Sequence, residues 1–449
     1  MYTDPPTTME AGVTTATSGA TEKKRAPLVY KNLTVPFIVL IACFAAWGAA
    51  SNLSDVLVGV FRGVFDMSNL QASLVQFAFY AAYFFLAIPA GFITSRFGYK
   101  AGILVGLGLA VLGAVLFLPA SQMLEYGMFL VALFVLASGL SVLETSANPF
   151  VIAMGPEESS TNRLNLAQAF NPIGANIGVL MGAVLILPNL TPEASKVIMS
   201  AEQLLISQRA DLELVLWPYL GIAGVLVLIA IFIAIAKVKV PGVDVYPMQE
   251  GSTFGRLRKN KRYRYGVIAQ FFNVAAQTCT WTFTIIYAQD VVGVPPDQAG
   301  LWLQASLILF LVSRFVMTAL LRIFRPTKLL FVMAVFGIVC CLTAVLVLNI
   351  IGLIAIVAIS ASLSLMFPTI YGVALQGLGE DTKFGAAGLV MAILGGALLP
   401  LVHATVMDVA SPAMGYIVPA LCLVVVAWYA WYDLRSPAAV PLWAAAEGA

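Results

Sequence analysis

Charged residues are scarce in this chain. Aspartate, glutamate, lysine and arginine make up 10% of its 449 residues, whereas an ordinary soluble domain carries roughly 25%. Hydrophobic residues make up 61%, and the mean hydropathy is +0.94. This composition excludes a soluble globular protein and indicates a polytopic α-helical membrane protein.

Histidine and cysteine are also rare. The single histidine, His403, is interpreted as a hydrogen-bonded packing residue. No cluster has the spacing of a metal site and no nucleophile–base pair stands out, so we predict neither an enzyme nor a bound metal or cofactor. All five cysteines fall inside apolar runs, where they indicate no disulfide framework. The first 30 residues lack the apolar core of a secretory signal and are interpreted as a disordered tail.

Long apolar runs are abundant instead. A run of about 20 apolar residues crosses a hydrocarbon core of roughly 30 Å. Twelve such runs, here called spans 1 to 12, are centred near residues 47, 82, 110, 140, 176, 226, 277, 310, 338, 363, 396 and 424. The predicted fold class is therefore an all-α membrane protein with twelve transmembrane helices in two six-helix bundles.

Positive charge predicts the topology. All but four of the 24 Lys and Arg residues fall in the tails or in the loops after spans 2, 4, 6, 8 and 10. Such loops are cytoplasmic, so both termini are expected in the cytosol and the protein in the cell membrane. The predicted organisation is a disordered cytosolic tail (1–33), an N-terminal bundle (34–237), a cytosolic central loop (238–262), a C-terminal bundle (263–434) and a cytosolic tail (435–449). The basic run RLRKNKRYR (256–264) is interpreted as a cytosolic anchor, with no nucleic-acid partner.

The two halves of the chain resemble each other. NPFVIAMG (148–155) in span 4 is echoed by FPTIYGVA (367–374) in span 10. Arg163 follows Pro149 at nearly the same distance as Lys383 follows Pro368. Repeats of this kind in a transporter predict a substrate site near the bilayer midplane, between halves that rock to alternate access.

Ionisable residues within the spans point to a functional site, because charge at membrane depth is costly and normally faces a cavity. They are Asp55 in span 1, Glu144 in span 4 and Arg314 in span 8. Trp47, Asn52 and Asp55 share one helical stripe, which suits either a sugar or hydrogen bonding between helices. Arg314 is interpreted as reaching toward the cytosol or pairing with a neighbouring helix.

Two further segments carry amides close to these acids. Asn148 lies one turn after Glu144, and Gln168 and Asn171 share a face of span 5. Hydrogen bonding between helices is the alternative role for the latter pair. Gly174 and Gly178 are expected to let a neighbouring backbone approach closely. Because burial disfavours the charged form of an acid, Asp55 and Glu144 are predicted to take up and release protons in step with the substrate.

Several motifs resemble a known family. The loop GFITSRFGYK (91–100) resembles the loop motif of the major facilitator superfamily, with Ser95 where many members carry Asp. Within that superfamily the chain resembles the fucose/proton symporter family, which includes bacterial glucose/galactose transporters. The resemblance rests on WGAASNLSD, FGYKAGILVGL, LETSANPF, RLNLAQAFN, AAQTCTW and FPTIYGVALQGLGEDTKFGAA, in that order along the chain.

The resemblance implies the major facilitator fold, a central cavity and proton-driven sugar uptake. It assigns proton coupling to Asp55 and Glu144, with Glu144 also recognising the sugar. The substrate-binding candidates are Trp47, Asn52, Glu144, Asn148, Gln168 and Asn171 in the first half and Gln277, Trp281 and Tyr287 in the second. Arg314 has a counterpart in the family, and Phe367 replaces a tyrosine found in some relatives.

The predicted function is import of a monosaccharide, L-fucose or a related hexose such as galactose or glucose, by proton symport. The proton is the coupling ion, the protein is expected to act as a monomer in the lipid bilayer, and no cofactor is implied. The alternatives are a passive sugar uniporter of the same fold and a membrane sugar sensor that does not transport.

Overall fold

The computed structural model of the protein describes residues 27–65, 69–196, 199–236 and 252–436. Within these ranges side chains are described except at 54–65, 69–74, 76, 183, 187, 193–194 and 296–297. All regular elements in the described ranges are helices.

The helices form the twelve expected crossings of a membrane. They are span 1, Thr34–Phe65; spans 2 and 3, the two parts of Asn69–Met123 before and after Gly98; span 4, Tyr126–Ala153; span 5, Ser160–Gln168 and Asn171–Met181; span 6, Ala201–Ile235; span 7, Lys261–Asp290; span 8, Pro296–Leu320; span 9, Pro326–Leu346; span 10, Ile350–Leu363 and Met366–Leu375; span 11, Thr382–Met391 and Gly395–Val409; and span 12, Ile417–Arg435. Short helical segments at Lys31–Leu33, Glu157–Ser159, Glu193–Lys196 and Thr253–Lys259 lie between them.

Ten stretches of the described chain are long and apolar enough to cross a membrane. One of them, Phe77–Met123, covers both span 2 and span 3. These are two crossings because the backbone turns at Gly98, whose φ of +85° favours glycine. Span 7 is not among the ten, and Gln270, Asn273 and Gln277 are the polar residues that lower its hydropathy. The predicted fold class of twelve helices in two bundles is confirmed.

The apolar core divides between the two halves. One buried cluster is built mainly from spans 1 to 6 and takes in parts of spans 7, 10 and 11. The other lies within spans 7 to 12. Because an even number of crossings separates them, residues 27 and 436 lie at the same face of the molecule, here called the terminal face. The opposite face carries the loops after spans 1, 3, 5, 7, 9 and 11.

The two halves meet at the terminal face. Several hydrogen bonds between described residues of the two halves lie near this face. The hydrogen bonds there join Glu157 to the Gly377 N–H (3.1 Å), Asn162 to the Thr318 carbonyl (3.2 Å) and Asn165 to Thr369 (3.2 Å). The two bundles are therefore closed against each other at the terminal face.

The N-terminal residues that the structure describes pack against the first bundle. The tail predicted over 1–33 includes residues that contact spans 4 and 5. The Leu28 carbonyl accepts from Arg163 Nη1 at 2.7 Å, and the Tyr30 N–H donates to Met154 at 3.0 Å. Arg163 is fully buried, so its guanidinium needs buried acceptors such as the Leu28 carbonyl. Together with the Tyr30–Met154 bond, this contact holds residues 27–33 against the bundle.

The predicted central loop is also partly structured. Residues 237–251 lie outside the described ranges, whereas Thr253–Lys259 is helical. Arg256 makes two hydrogen bonds with Asp381, of 2.8 and 2.6 Å, and these raise the pKa of Arg256. Arg262 pairs with Asp433 at 2.6 Å. The basic run interpreted as an anchor therefore also ties the loop to spans 11 and 12.

Candidate functional site

Glu144 lies inside the protein and not against lipid. Its side chain is 1% exposed, and its Oε2 has no hydrogen-bond partner among the described residues. Nineteen residues of span 4 are buried, so this helix passes through the middle of its bundle. An enclosed carboxyl with an unpaired oxygen is costly to retain, which indicates that the group serves a ligand or a proton.

Asn148 and Gln168 connect Glu144 to span 5. Asn148 lies one turn after Glu144 and accepts from Gln168 Nε2 through its Oδ1 at 2.8 Å. Both amides are buried, and Asn148 Nδ2 has no partner among the described residues. The hydrogen bond between helices that was the alternative role of Gln168 is therefore present, and it leaves a donor on Asn148 and an acceptor on Glu144 free.

Trp47 reaches the same region through span 2. Its Nε1 donates to the hydroxyl of Tyr83 at 3.1 Å, and its ring lies 5.6 Å from that of Phe44. Tyr83 is close enough to Glu144 to interact with its charge. Spans 1, 2 and 4 thus bring an indole, a phenol and a carboxyl together, and Tyr83 is a site residue that the sequence analysis missed.

Spans 1 and 5 pack with their backbones in contact. A Cβ added at Gly174 would lie 1.7 Å from the Ala45 carbonyl oxygen, and one at Gly178 would lie 2.4 Å from that of Ala49. Only glycine permits this approach, so the close packing predicted for the two glycines is confirmed and span 1 is the neighbour. Asn171 Nδ2 bonds the Phe44 carbonyl across this contact at 3.3 Å.

Asn52 and Asp55 lie further along span 1. Asn52 is half-buried and donates to the Gly48 carbonyl of its own helix at 3.2 Å. Asp55 lies three residues later within Thr34–Phe65, but its side chain is outside the described residues. Its role in proton coupling stays a prediction.

The second half contributes a separate series of hydrogen-bonded side chains. Trp281 Nε1 donates to Ser360 at 3.0 Å, and Ser360 lies 2.6 Å from Ser306. The Trp281 indole packs edge-on against Phe310, with ring centroids 5.0 Å apart. Gln277, one turn before Trp281, is half-buried.

Tyr287 is not brought together with the other candidates. It is fully buried, and its hydroxyl donates to the Ala344 carbonyl of span 9 at 2.7 Å. Its ring packs edge-on against Tyr416 of the same half. In this conformation Tyr287 is therefore occupied in packing spans 7, 9 and 12 together.

Arg314 links the two halves at the depth of the site. Its Nε donates to the Ser364 carbonyl at 2.6 Å and its Nη1 to the Gln168 carbonyl at 3.0 Å. The guanidinium also lies 4.8 Å from the ring centroid of Phe310. The side chain is 4% exposed, so Arg314 does not extend to the cytosol, and the expected pairing with neighbouring helices is what the structure contains.

Two prolines explain why those carbonyls are free. In a continuous helix the carbonyl of residue i accepts from the N–H of residue i+4, but Pro172 and Pro368 have no N–H. Gln168 and Ser364 precede them by four residues, at the breaks in spans 5 and 10. Backbone carbonyls left unpaired at a helix break within the membrane need a hydrogen-bond donor from the protein. Arg314 is that donor for both Gln168 and Ser364.

Other buried polar groups escaped the sequence analysis. Tyr371 of span 10 lies close to Glu144 and Asn148, and its hydroxyl has no partner among the described residues. Gln270 and Asn273 of span 7 are fully buried, and neither amide is bonded within the described ranges. The two amides could have been found from their i, i+3 spacing inside an apolar span, whereas Tyr371 gave no such signal because tyrosine is common in spans.

His403 packs as expected but without the predicted hydrogen bond. The imidazole stacks on Phe283 at 4.2 Å and meets the ring of Tyr416 edge-on. Neither ring nitrogen has a partner in the described part of the chain. The same described ranges contain no group of three or more His, Cys, Asp or Glu side chains placed to hold a metal ion.

Comparison with known proteins finds relatives along most of the chain. The family model described as Major Facilitator Superfamily matches residues 36–400. The L-fucose-proton symporter of Escherichia coli is 39% identical over 400 residues, which cover 87% of this chain and 91% of that protein. The glucose/galactose transporter of Brucella abortus is 33% identical over 414 residues, covering 90% and 96%.

A solved structure has the same fold. The crystal structure of the major facilitator superfamily transporter FucP in the outward conformation superposes with a TM-score of 0.84 at 38% identity, covering 90% of this chain and 99% of that one. The resemblance on which the sequence analysis relied is confirmed. This chain belongs to the major facilitator superfamily, in the family of the fucose/proton symporters.

Proposed function

We propose that this protein is a secondary active transporter that imports a monosaccharide together with a proton. The observation that carries the proposal is the buried Glu144 carboxyl, whose Oε2 has no hydrogen-bond partner among the described residues, with a second unpartnered group, the Asn148 amide nitrogen, one helical turn later. Amides and carboxylates bind sugar hydroxyls, and indole faces pack on the C–H face of a sugar ring. Trp47, Asn52, Asn148, Gln168 and Asn171 are proposed as contacts from the first half, with Gln277 and Trp281 from the second.

Glu144 and Asp55 are the proposed proton carriers. Protonation of Glu144 removes the charge that burial makes costly and gives the carboxyl a donor for a sugar hydroxyl. The loaded, neutral site then permits the halves to close over it, so that proton and sugar cross together. Tyr287 is proposed to support the second half without touching the sugar.

The names of the relatives support the substrate class. They are called an L-fucose-proton symporter and a glucose/galactose transporter, and we propose L-fucose or a related hexose such as galactose or glucose for this chain. The distribution of Lys and Arg supports a cytosolic terminal face. Closure at that face then corresponds to a cleft that opens to the outside. We propose that the protein works as a monomer in the cell membrane.

Proteoliposomes test the proposed coupling. An imposed proton gradient, alkaline inside, should drive labelled L-fucose, D-galactose or D-glucose above its external concentration. Glu144→Gln and Asp55→Asn should each abolish accumulation and retain sugar exchange at equilibrium. The matched control is Asp290→Asn, since Asp290 is exposed at the end of span 7, and it should accumulate sugar like the wild type.

The same experiment separates the alternatives. A passive uniporter would equilibrate sugar and never concentrate it, and both acid variants would then behave like the control. Accumulation driven by a sodium gradient and indifferent to the proton gradient would contradict the proton assignment. Absence of any sugar flux in the folded wild type would contradict transport and favour a sensor. Competition by a panel of monosaccharides against one labelled sugar identifies the substrate.

A further inference from the structure

A second cavity lies away from Glu144, between the halves at the terminal face. Its volume is about 370 Å³, within the range of roughly 300–1,000 Å³ typical of small-molecule sites. The first half contributes Tyr99, Glu157 and Ser160, and Tyr30 covers it from the segment before span 1. None of the sugar-site candidates lines this cavity.

One buried polar group in the cavity wall points to a ligand. Ser160 is 1% exposed, and its hydroxyl has no hydrogen-bond partner among the described residues. Buried hydroxyls in proteins are normally bonded, because an unpaired one costs free energy. Ser160 is among the residues that line the cavity, so a change of its side-chain rotamer would bring the unpaired hydroxyl to a bound molecule that has a hydroxyl of its own.

The lining selects the chemistry of that molecule. Two tyrosine rings, the Gln376 amide and the peptide groups at Gly377 and Gly379 line the cavity, and no Lys or Arg side chain does so within the described residues. The one charged group in the wall is the Glu157 carboxylate. Aromatic faces with amide and hydroxyl groups suit an uncharged sugar, while the Glu157 carboxylate in the wall disfavours an anion such as a sugar phosphate.

The cavity exists because the halves are closed. Glu157 accepts from the Gly377 N–H at 3.1 Å, and Gln376 donates to Thr161 at 3.4 Å, so its walls are bonded to each other across the interface. Separation of the halves at this face would pull the two walls apart. A ligand that needs both walls binds the closed state better, and by linkage it favours that state.

We propose that this cavity is a regulatory site for an uncharged monosaccharide, whose binding holds the halves closed at the terminal face and slows transport. The class of ligand rests on the lining alone. That the site faces the cytosol, and therefore senses imported sugar, rests on the proposed function.

Thiol protection tests the binding without any transport. The five native cysteines are all buried, so Ala153→Cys, which places a thiol in the cavity wall, gives a labelling site with little background. The full chain in nanodiscs also carries Gln168→Ala to weaken the central site. L-fucose, D-galactose and D-glucose, tested singly, should include at least one sugar that slows labelling, whereas glucose 6-phosphate should not.

Ser160→Ala supplies the decisive variant, because it removes the unpaired hydroxyl without breaking any described bond. The sugar concentration that halves the labelling rate should rise about tenfold, which is the effect of losing one hydrogen bond. Ser207→Ala is the matched control, since Ser207 is also buried with an unpaired hydroxyl but lies on span 6 away from the cavity. In this control, sugar should slow labelling at the same concentration as in the parent, the protein that carries only Ala153→Cys and Gln168→Ala.

The outcomes separate this site from the proposed function. Absence of protection by all three sugars, equal protection in Ser160→Ala and the parent, or better protection by glucose 6-phosphate would each overturn the proposal. In proteoliposomes, sugar at the terminal face should slow initial uptake in the wild type and in Ser207→Ala, and less in Ser160→Ala. Protection in a protein that never accumulates sugar would contradict the transport proposal and leave the cavity assignment standing.

Discussion

Arg314 of span 8 donates to the backbone carbonyl of Gln168 in span 5, at 3.0 Å, across the boundary between the two halves. The carbonyl is available because Pro172 has no N–H to offer it. The same guanidinium bonds Ser364, which Pro368 leaves free in the same way. One side chain therefore serves a helix break in each half and ties both breaks together beside the proposed sugar site.

Arg314→Ala is expected to loosen the closed state. It leaves two buried carbonyls without partners, and each costs about 1–3 kcal/mol. We expect a lower melting temperature in nanodiscs and faster labelling of Ala153→Cys from the terminal face. Arg322→Ala is the control, because Arg322 is exposed at the end of the same span. Unchanged melting and labelling would contradict the role of Arg314 as a link.

Pro172→Ala tests the origin of the free carbonyl. The substitution restores an N–H that competes with Arg314 for Gln168, so the break in span 5 should close and the link should weaken. We expect faster labelling from the terminal face without a loss of thermal stability. Pro400→Ala in span 11 is the control, since Pro400 also lies within a helix. Equal labelling in both variants would show that the proline does not govern the link.

Asn148 and Gln168 are expected to act as one unit in sugar binding. Asn148→Ala or Gln168→Ala should each weaken binding about tenfold, because each removes a polar contact near Glu144 and their shared bond. The double variant should lose less than the product of the two single effects. Equilibrium binding of labelled sugar measures this, with Gln298→Ala at the exposed start of span 8 as control. Strictly independent effects would contradict a joint site.

The Lys383 ammonium lies 5.4 Å from the ring centroid of Tyr99 across the interface. Ser95 supplies no charge in the loop before Tyr99, and we expect the cation–π contact to stabilise closure. Lys383→Met should lower the closed-to-open ratio about two- to tenfold, whereas Lys383→Arg should retain it. Labelling of Ala153→Cys reports the ratio.

Lys328→Met provides the control for this contact, because Lys328 is exposed on the same face. If Lys383→Met and Lys328→Met label alike, the ammonium of Lys383 does not contribute to closure.

The sequence analysis predicted the features that depend on local spacing. Twelve spans follow from run lengths, the shared face of Glu144 and Asn148 and that of Gln168 and Asn171 from helical periodicity, and the packing of Gly174 and Gly178 from their lack of a side chain. Each of these properties can be read within a single span.

Features set by distant parts of the chain were missed. The partners of Arg314 depend on two prolines that are nearly 200 residues apart and meet only in the folded protein. The packing of residues 27–33 depends on the buried Arg163. The sequence analysis assigned the basic residues outside the spans to cytosolic loops, which did not reveal that Arg163 is buried. Tyr287 was assigned to the cavity by the family resemblance, which does not reveal that its hydroxyl bonds span 9.

The contact between spans 1 and 5 has a mechanical consequence. Carbonyl oxygens of span 1 lie directly against Gly174 and Gly178, so no side chains separate the two helices at this contact. Spans 1 and 5 are therefore expected to move together as one rigid body. Trp47 and Asn171 then keep a constant separation through the whole cycle. The spacing of these two residues then cannot change how tightly the sugar is held, which depends instead on the protonation of Glu144 and on the approach of the opposite bundle.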